Sequence, residues 1–222
     1  MRLKKLYVVI AAYNEEKNIA EVIKKTKKNC KNIIVVDDGS KDKTYSKAKK
    51  SGVGVLKHIV NMGKGAAVKT GCDYALSKGA KVIVLLDADL QHDPDEIPNF
   101  LKSLKKVDIV FGYRKLDENM PVVLRYGNWL INKITKLLYD INLRDTQCGY
   151  RAFTASTYKK IRWKAADYSL ESEMIANTGK QHLRYKEIPI KTIYSDIYKG
   201  TTVIDGIRII FNLLIWRLGK WF

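Results

Sequence analysis

The sequence predicts an α/β fold, a mainly parallel sheet covered by helices on both faces. Two observations lead there. Short unbroken runs of Val, Ile and Leu alternate with helix-like stretches through the first half of the chain. Strands of that composition are buried on both faces, as in parallel sheets. Polar clusters follow three of these runs, as Tyr13-Asn14-Glu15, Asp37-Asp38 and Asp87-Ala88-Asp89. Ligands of such sheets bind at the carboxyl ends of the strands, so the clusters mark one site.

The elements read in order as follows. Leu6 to Ala12 is a strand and Glu16 to Lys28 a helix. Asn32 to Val36 is a strand that ends in Asp37-Asp38-Gly39-Ser40, and Asp42 to Lys50 is a helix. Ser40 is placed to cap that helix. Val53 to His58 is a short strand, Gly65 to Ser77 a helix, and Lys81 to Leu86 a strand. Pro94 opens another helix, as proline does at a first helical position. Asp108 to Gly112 is a further strand and Val123 to Tyr139 a helix. A turn-rich stretch from Asp145 to Arg151 precedes a short helix, Leu170 to Thr178, and a strand from Arg184 to Ile188. The apolar tail from Val203 to Phe222 is an amphipathic helix interrupted by Arg208, Asn212, Arg217 and Lys220. No stretch reaches the ~18 uninterrupted apolar residues of a spanning helix.

Lys plus Arg is 41 and Asp plus Glu is 23, a net charge of +18. That excess favours anionic partners: phosphate-bearing substrates, anionic lipid or nucleic acid. Lysine-rich wet helix faces, such as Lys24 to Lys28, account for part of it. Cys30, Cys72 and Cys148 are widely spaced and lack metal-type pairing, which fits a reduced, cytoplasmic setting. The N-terminus runs directly into the first strand, with no signal-peptide pattern.

Three motifs carry chemistry. Asp87 and Asp89 leave the sheet after a buried strand, flanking a small residue. Paired carboxylates suit Mg²⁺ or Mn²⁺, hard cations that accept phosphate oxygens as further ligands. A solvated acidic loop is the plain alternative. Asp37-Asp38-Gly39-Ser40 offers an aspartate for a base or ribose, or serves only as turn and cap. Asn61-Met62-Gly63-Lys64-Gly65 opens a helix whose N-terminus favours anions, or is simply a glycine turn. It is not a P-loop, because Lys64 lies between the glycines and no Ser or Thr follows in place.

Together these runs resemble the family 2 glycosyltransferases, which share the GT-A fold with its Rossmann-like sheet. The matching residues are Val8 to Glu15, Val35 to Ser40, the Asn61 to Ala67 loop and Leu86 to Gln91. Asp87 to Gln91 with Pro94, Gly112-Tyr113-Arg114, Arg125 and Gly149-Tyr150-Arg151 resemble the branch that loads sugars onto polyprenyl (dolichyl) phosphate. The resemblance covers residues 5 to 155. It implies a nucleotide-sugar site formed by Ala11, Tyr13, Glu15, Val36, Asp38, Asp87, Ala88, Gln91 and Lys199. It implies a divalent cation, Mg²⁺ or Mn²⁺, at Asp87, Asp89 and Gln91. Asp89, Arg114 and Arg125 would be catalytic, the two arginines gripping the acceptor phosphate. Two departures stand out. Ala11 replaces the family's usual proline, and the late basic motif is only partly present, as Tyr198 to Thr202.

On this reading residues 1–200 form the catalytic domain and 201–222 a membrane-associating helix. The partners are a nucleotide-sugar donor, a polyprenyl-phosphate acceptor and an anionic membrane surface, with homo-oligomerisation open. The location is cytoplasmic, peripheral on the cytosolic face of the cell membrane. Leu130, Ile134, Leu137 and Leu138, with Trp129 and Tyr139 as anchors, would join the tail at the lipid. Two other readings stay open. A soluble or polysaccharide acceptor would need a carboxylate general base, with Asp145 and Glu173 as candidates. A basic nucleic-acid-binding module has the charge but no recognised motif.

Overall fold

The structure, a computed structural model, describes residues 5–114, 122–191 and 203–219, with side chains at 122–125 and 203–205 outside that description. The strands are β1 (Leu6–Ala12), β2 (Ile33–Asp37), β3 (Gly54–Lys57), β4 (Val82–Asp87), β5 (Ile109–Arg114), β6 (Arg151–Thr154) and β7 (Tyr185–Ile190). They form one 7-stranded sheet in the order β3-β2-β1-β4-β6-β5-β7. β1 pairs in parallel with β2 and β4, β2 with β3, and β5 with β7. β6 alone runs antiparallel, between β4 and β5. The sequence reading missed it because Arg-Ala-Phe-Thr is too short to show a period and begins with a charged residue.

Parallel neighbours need long crossovers. Here α1 (Ile19–Lys27), α2 (Thr44–Lys50) and α3 (Lys64–Ser77) supply them. Because β1 lies between β2 and β4, the strand order reverses there and opens a crevice at the carboxyl ends. Alternate side chains feed two cores. Val9, Ile34, Val36, Ile83 and Leu85 join Ala67, Val68 and Cys72 of α3 and Met174 of α7 (Leu170–Lys180). Val8, Ile10, Val35, Val84 and Leu86 join Ile19, Val22 and Ile23 of α1 and Phe100 of α4 (Ile97–Leu104). Each such aliphatic burial contributes roughly 1.5–3 kcal/mol, so the strands are held from both sides.

Several local expectations change. Pro94 opens a 3-10 turn, Pro94–Glu96, and α4 begins after it. Asp93 caps that turn, accepting the Asp95 N–H at 3.0 Å. The short helix α6 (Ala155–Ile161) was not expected from the sequence; the Thr154 side chain caps it by accepting the Thr157 N–H at 3.1 Å.

Helices α5 (Val122–Tyr139) and α8 (Val203–Leu218) sit on the α3/α7 side of the sheet. Ile131 and Tyr139 of α5 are buried with Ile209 and Leu213 of α8. Tyr139 is therefore no interfacial anchor: its hydroxyl donates to the Leu213 carbonyl at 2.6 Å and ties the two helices together. The opposite face of α8 leaves Ile207, Phe211, Leu214, Ile215 and Leu218 exposed, and α5 exposes Tyr126, Trp129 and Leu137. Among the described residues no helix is long and apolar enough to cross a membrane.

Candidate active site

The sheet register brings the polar clusters abreast. Ala11 of β1 lies opposite Val36 on one side and Asp87 on the other, and Ala12 lies opposite Asp37. The loops that follow are stitched together. The Asn14 N–H donates to Ser40 Oγ at 2.9 Å, the Lys41 N–H to Asn14 Oδ1 at 2.9 Å, and the Glu15 N–H to Thr44 Oγ1 at 2.8 Å. Ser40 is thus not the cap of α2. Its hydroxyl holds the Tyr13–Glu15 loop, while Asp42 accepts the Thr44 N–H at 2.9 Å. Tyr13 projects beside this seam, 41% exposed.

On the β2 side, Asp38 is buried and fully engaged. Its carboxylate accepts from His58 Nδ1 at 2.7 Å and from the N–H groups of Met62 at 3.0 Å and Gly63 at 2.8 Å. Asp37 is buried, and both its carboxylate oxygens lack a hydrogen-bond partner among the described residues. Gly63 has φ +93, and a Cβ there would lie 2.4 Å from the Ala166 carbonyl oxygen, so only glycine lets the loop rest on that segment.

On the β4 side, charges crowd together. Lys64 Nζ lies 2.8 Å from Asp87 Oδ1 and 2.9 Å from Glu171 Oε1. Burial opposes the lysine's charge, but the two carboxylates outweigh it and hold the ammonium firmly protonated. Burial would raise Asp87, yet Lys64 and then His92 beside it bring the carboxyl down to about 2. Asp89 goes the other way: burial, then the charge of Asp87, push it up to about 6, against the Gln91 N–H that donates to it at 3.0 Å. Burial pulls His92 down to about 4, so it is neutral at pH 7. Its Nδ1, 3.6 Å from Asp87 Oδ2, has no hydrogen-bond partner among the described residues, and neither has the buried Glu171 Oε2. A Cβ on Gly149 would fall 2.6 Å from Asp87 Oδ2 and 3.0 Å from Lys64 Nζ, so its absence makes room for the ion pair.

A buried arginine braces this side. Arg151 donates to the carbonyls of Cys148 at 3.0 Å, Thr146 at 3.0 Å and Glu171 at 2.7 Å. It ties the Thr146–Cys148 turn to the start of α7, which carries Glu171.

The structure brings together Ala11, Val36, Asp38, Asp87, Ala88, Asp89 and Gln91 at adjoining strand tips, with Tyr13 and Glu15 on the neighbouring loop. Glu15 is near enough for its charge to be felt at Asp89. Arg114 ends β5 with its guanidinium on Asp145, Nε at 2.7 Å and Nη2 at 3.1 Å. Burial would raise Asp145, but Arg114 outweighs it and lowers the carboxyl. Glu173 accepts the N–H groups of Lys164 at 3.0 Å and Ala165 at 2.8 Å. The two carboxylates expected as spare bases are therefore both engaged in structural bonds. The Arg125 side chain and Lys199 lie outside the described residues.

Sequence reasoning missed Glu171, His92 and His58. His58 carried a usable signal, a polar residue at a strand tip like the other clusters. Glu171 carried none, because it meets Lys64 across 107 residues of chain.

As for a cation, no group of three or more His, Cys, Asp or Glu suited to a metal occurs among the described residues. The donors expected from the sequence are the carboxylates of Asp87 and Asp89 and the Gln91 amide. That set fits Mg²⁺ or Mn²⁺, which bind through one or two carboxylates and complete their shells with water and substrate phosphate.

An acidic pair thus stands at the switch point of the sheet, with a lysine-bearing glycine loop beside it. The glycosyl transferase family 2 profile matches residues 7–162, and the chain belongs to that family. It is a glycosyltransferase. The UDP-N-acetylglucosamine–dolichyl-phosphate N-acetylglucosaminyltransferase of Methanococcus voltae is 36% identical over 98% of this chain and 98% of its own. The undecaprenyl-phosphate mannosyltransferase of Micrococcus luteus is 27% identical, covering 98% and 96%. Among solved structures, glucosyl-3-phosphoglycerate synthase from Mycobacterium tuberculosis, in complex with Mn²⁺, UDP and phosphoglyceric acid, superposes with a TM-score of 0.77. It is 20% identical, with 97% of this chain and 78% of that one aligned, a likeness of fold.

Proposed function

We propose that the chain transfers a sugar from a nucleoside-diphosphate sugar to a polyprenyl phosphate, with inversion, at a membrane surface. The observation that carries this reading is the engagement of Asp145 by Arg114 and of Glu173 by the Lys164–Ala165 amides. A hydroxyl acceptor needs a general base, and the two carboxylates that the sequence offered for that work, Asp145 and Glu173, are already hydrogen-bonded to the protein. A phosphate acceptor is anionic at neutral pH and needs no base. Relatives named for dolichyl and undecaprenyl phosphate support the same choice.

On this reading Tyr13, Glu15 and Asp38 position the nucleotide, with Ala11, Val36 and Ala88 as the floor of its pocket and Lys199 as a late contact. Asp87, Asp89 and Gln91 would hold Mg²⁺ or Mn²⁺, which supplies charge neutralisation to the diphosphate leaving group. Lys64, already fixed by Asp87 and Glu171, adds a permanent cation beside it. Arg114 and Arg125 orient the acceptor phosphate, so the protein's part is positioning and charge stabilisation. The exposed apolar faces of α5 and α8, with Lys133, Lys136, Arg208 and Arg217 on those helices, rest on the anionic cytosolic leaflet. Residues 1–200 then act as the catalytic domain and 201–222 as its membrane helix.

The test is incubation of the full chain and Mn²⁺ with labelled UDP-N-acetylglucosamine, UDP-glucose or GDP-mannose, and polyprenyl phosphate in vesicles. One donor should give a chloroform-soluble sugar phospholipid. Label appearing only on soluble sugars would overturn the lipid acceptor.

A further inference from the structure

The segment from Ile59 to Met62 reaches the site without an apolar anchor. Ile59 is 98% exposed, Val60 63% and Met62 54%. The loop's side chains are not buried; its backbone lies close on Gly39 and Ala166, and hydrogen bonds complete its hold. The Met62 and Gly63 N–H groups both point at Asp38, and the next residue is Lys64, on Asp87. The Asp38 carboxylate is thus one of the contacts that set where the lysine lies, beside the packing of Gly63 on Ala166 and the second Gly63 N–H acceptor, Asn61 Oδ1 at 3.0 Å.

That carboxylate has its own support. His58, at the tip of β3, meets Asp38 Oδ1 through Nδ1 at 2.7 Å, and its Nε2 lies 3.0 Å from Thr70 Oγ1. The His58 N–H donates to the Asp37 carbonyl at 2.9 Å, so the residue is fixed at its backbone too. A carboxylate only accepts, so Nδ1 carries the proton and Nε2 pairs with the Thr70 hydroxyl. Thr70 lies on α3, the helix that Lys64 begins. The bonds close a ring: α3 to the β3 tip, to the β2 tip, to the glycine loop and back to the start of α3.

We propose that His58, backed by Thr70, is a positioning residue that orients Asp38, holds the Asn61–Lys64 loop against it, and so presets the donor side of the site. The proposal rests on the donor reading above only for its effect on nucleotide binding; the loop geometry stands apart from it. Bonds shared along such a ring reinforce one another in a half-buried setting, and removing one member leaves the next free to turn.

The test compares His58→Phe, which keeps a ring without a donor, with His58→Asn, which restores an N–H near the Nδ1 position. Two quantities are read: hydrogen exchange at the Met62 and Gly63 amides, and affinity for UDP and GDP with Mn²⁺. His58→Phe should speed both amides at least about tenfold and weaken the better nucleotide about tenfold, with exchange in α6 unchanged. His58→Asn should recover both to within about threefold. Wild-type exchange and affinity in His58→Phe overturn the proposal, as does equal loss in both variants, which would make the ring a packing element. Should His58→Phe fail to fold, Thr70→Val, lacking only the hydroxyl, should speed the same amides about threefold; no change there overturns it. If the wild type binds neither UDP nor GDP, the donor reading fails, while amide exchange still decides the role of His58.

Discussion

The two flanks of the strand-tip crevice are built from the same side chains to opposite ends. On the β2 flank Asp38 takes three hydrogen bonds from His58, Met62 and Gly63, next to Asp37, whose carboxylate oxygens have no partner among the described residues. On the β4 flank Asp87 and Asp89 repel each other, and Glu171 Oε2 and His92 Nδ1 stay without hydrogen bonds. The Asp38 carboxylate, so held, shapes the chain around it, whereas Asp87 and Asp89 crowd like charges.

The sharpest way to break this contrast is Asp89→Ala. Transfer should fall by at least about 10³-fold, in line with losing a preorganised charge contact, while the melting temperature holds. Turnover within threefold of wild type would remove the metal role and with it the distinction between the flanks.

Lys64→Met should act next most strongly. It leaves Asp87 and the buried Glu171 without their shared cation, at a cost of about 3–5 kcal/mol. Chemical denaturation reads this directly. Lys64→Met combined with Glu171→Gln should regain part of the loss, because one uncompensated charge is gone. An additive double variant would show that the two do not share a site.

The faces of α8 give a smaller effect. Phe211→Ser with Ile215→Ser should weaken binding to anionic vesicles about tenfold, the loss of two exposed apolar contacts, and leave stability within about 0.5 kcal/mol. Deleting the helix is a poorer test, since Ile209 and Leu213 are buried against α5. Unchanged sedimentation with vesicles would move the membrane contact elsewhere.

The smallest expected effect is a pH dependence. Asp89 is raised from 3.8 to about 6, so the native state holds that proton more tightly than the unfolded chain. Its contribution is fully present below about pH 4 and is lost as pH rises to 6. Without metal, Asp89→Asn should be more stable than wild type at pH 7 by up to about 2 kcal/mol, the gap closing by pH 4. The Asp87 change falls lower, between 3.8 and about 2, with the opposite sign. A gap that persists at pH 4 would mean that burial and Asp87 do not raise the Asp89 carboxyl.

Much of the fold was legible because buried parallel strands must be apolar on both faces, and their ends must then carry the polar residues. Leu6–Ala12, Ile33–Asp37 and Val82–Asp87 announce themselves that way, and with them the places of Asp38, Asp87 and Asp89. What each carboxylate does was not legible. Asp38 and Asp89 look alike in sequence, yet one faces amide donors and the other a second carboxylate. Asp145 and Glu173 read as spare acids until Arg114 and the Lys164–Ala165 amides were found upon them.

The order of residues alone determined where strands end and which charges emerge there, since hydrophobic periodicity and turn chemistry are local. Only the tertiary structure decided which charges meet. Glu171 reaches Lys64, and Arg151 braces the turn between them, through chain folded back from distant segments. Partnership, burial and the resulting proton affinities are properties of neighbours in space, which no local pattern records.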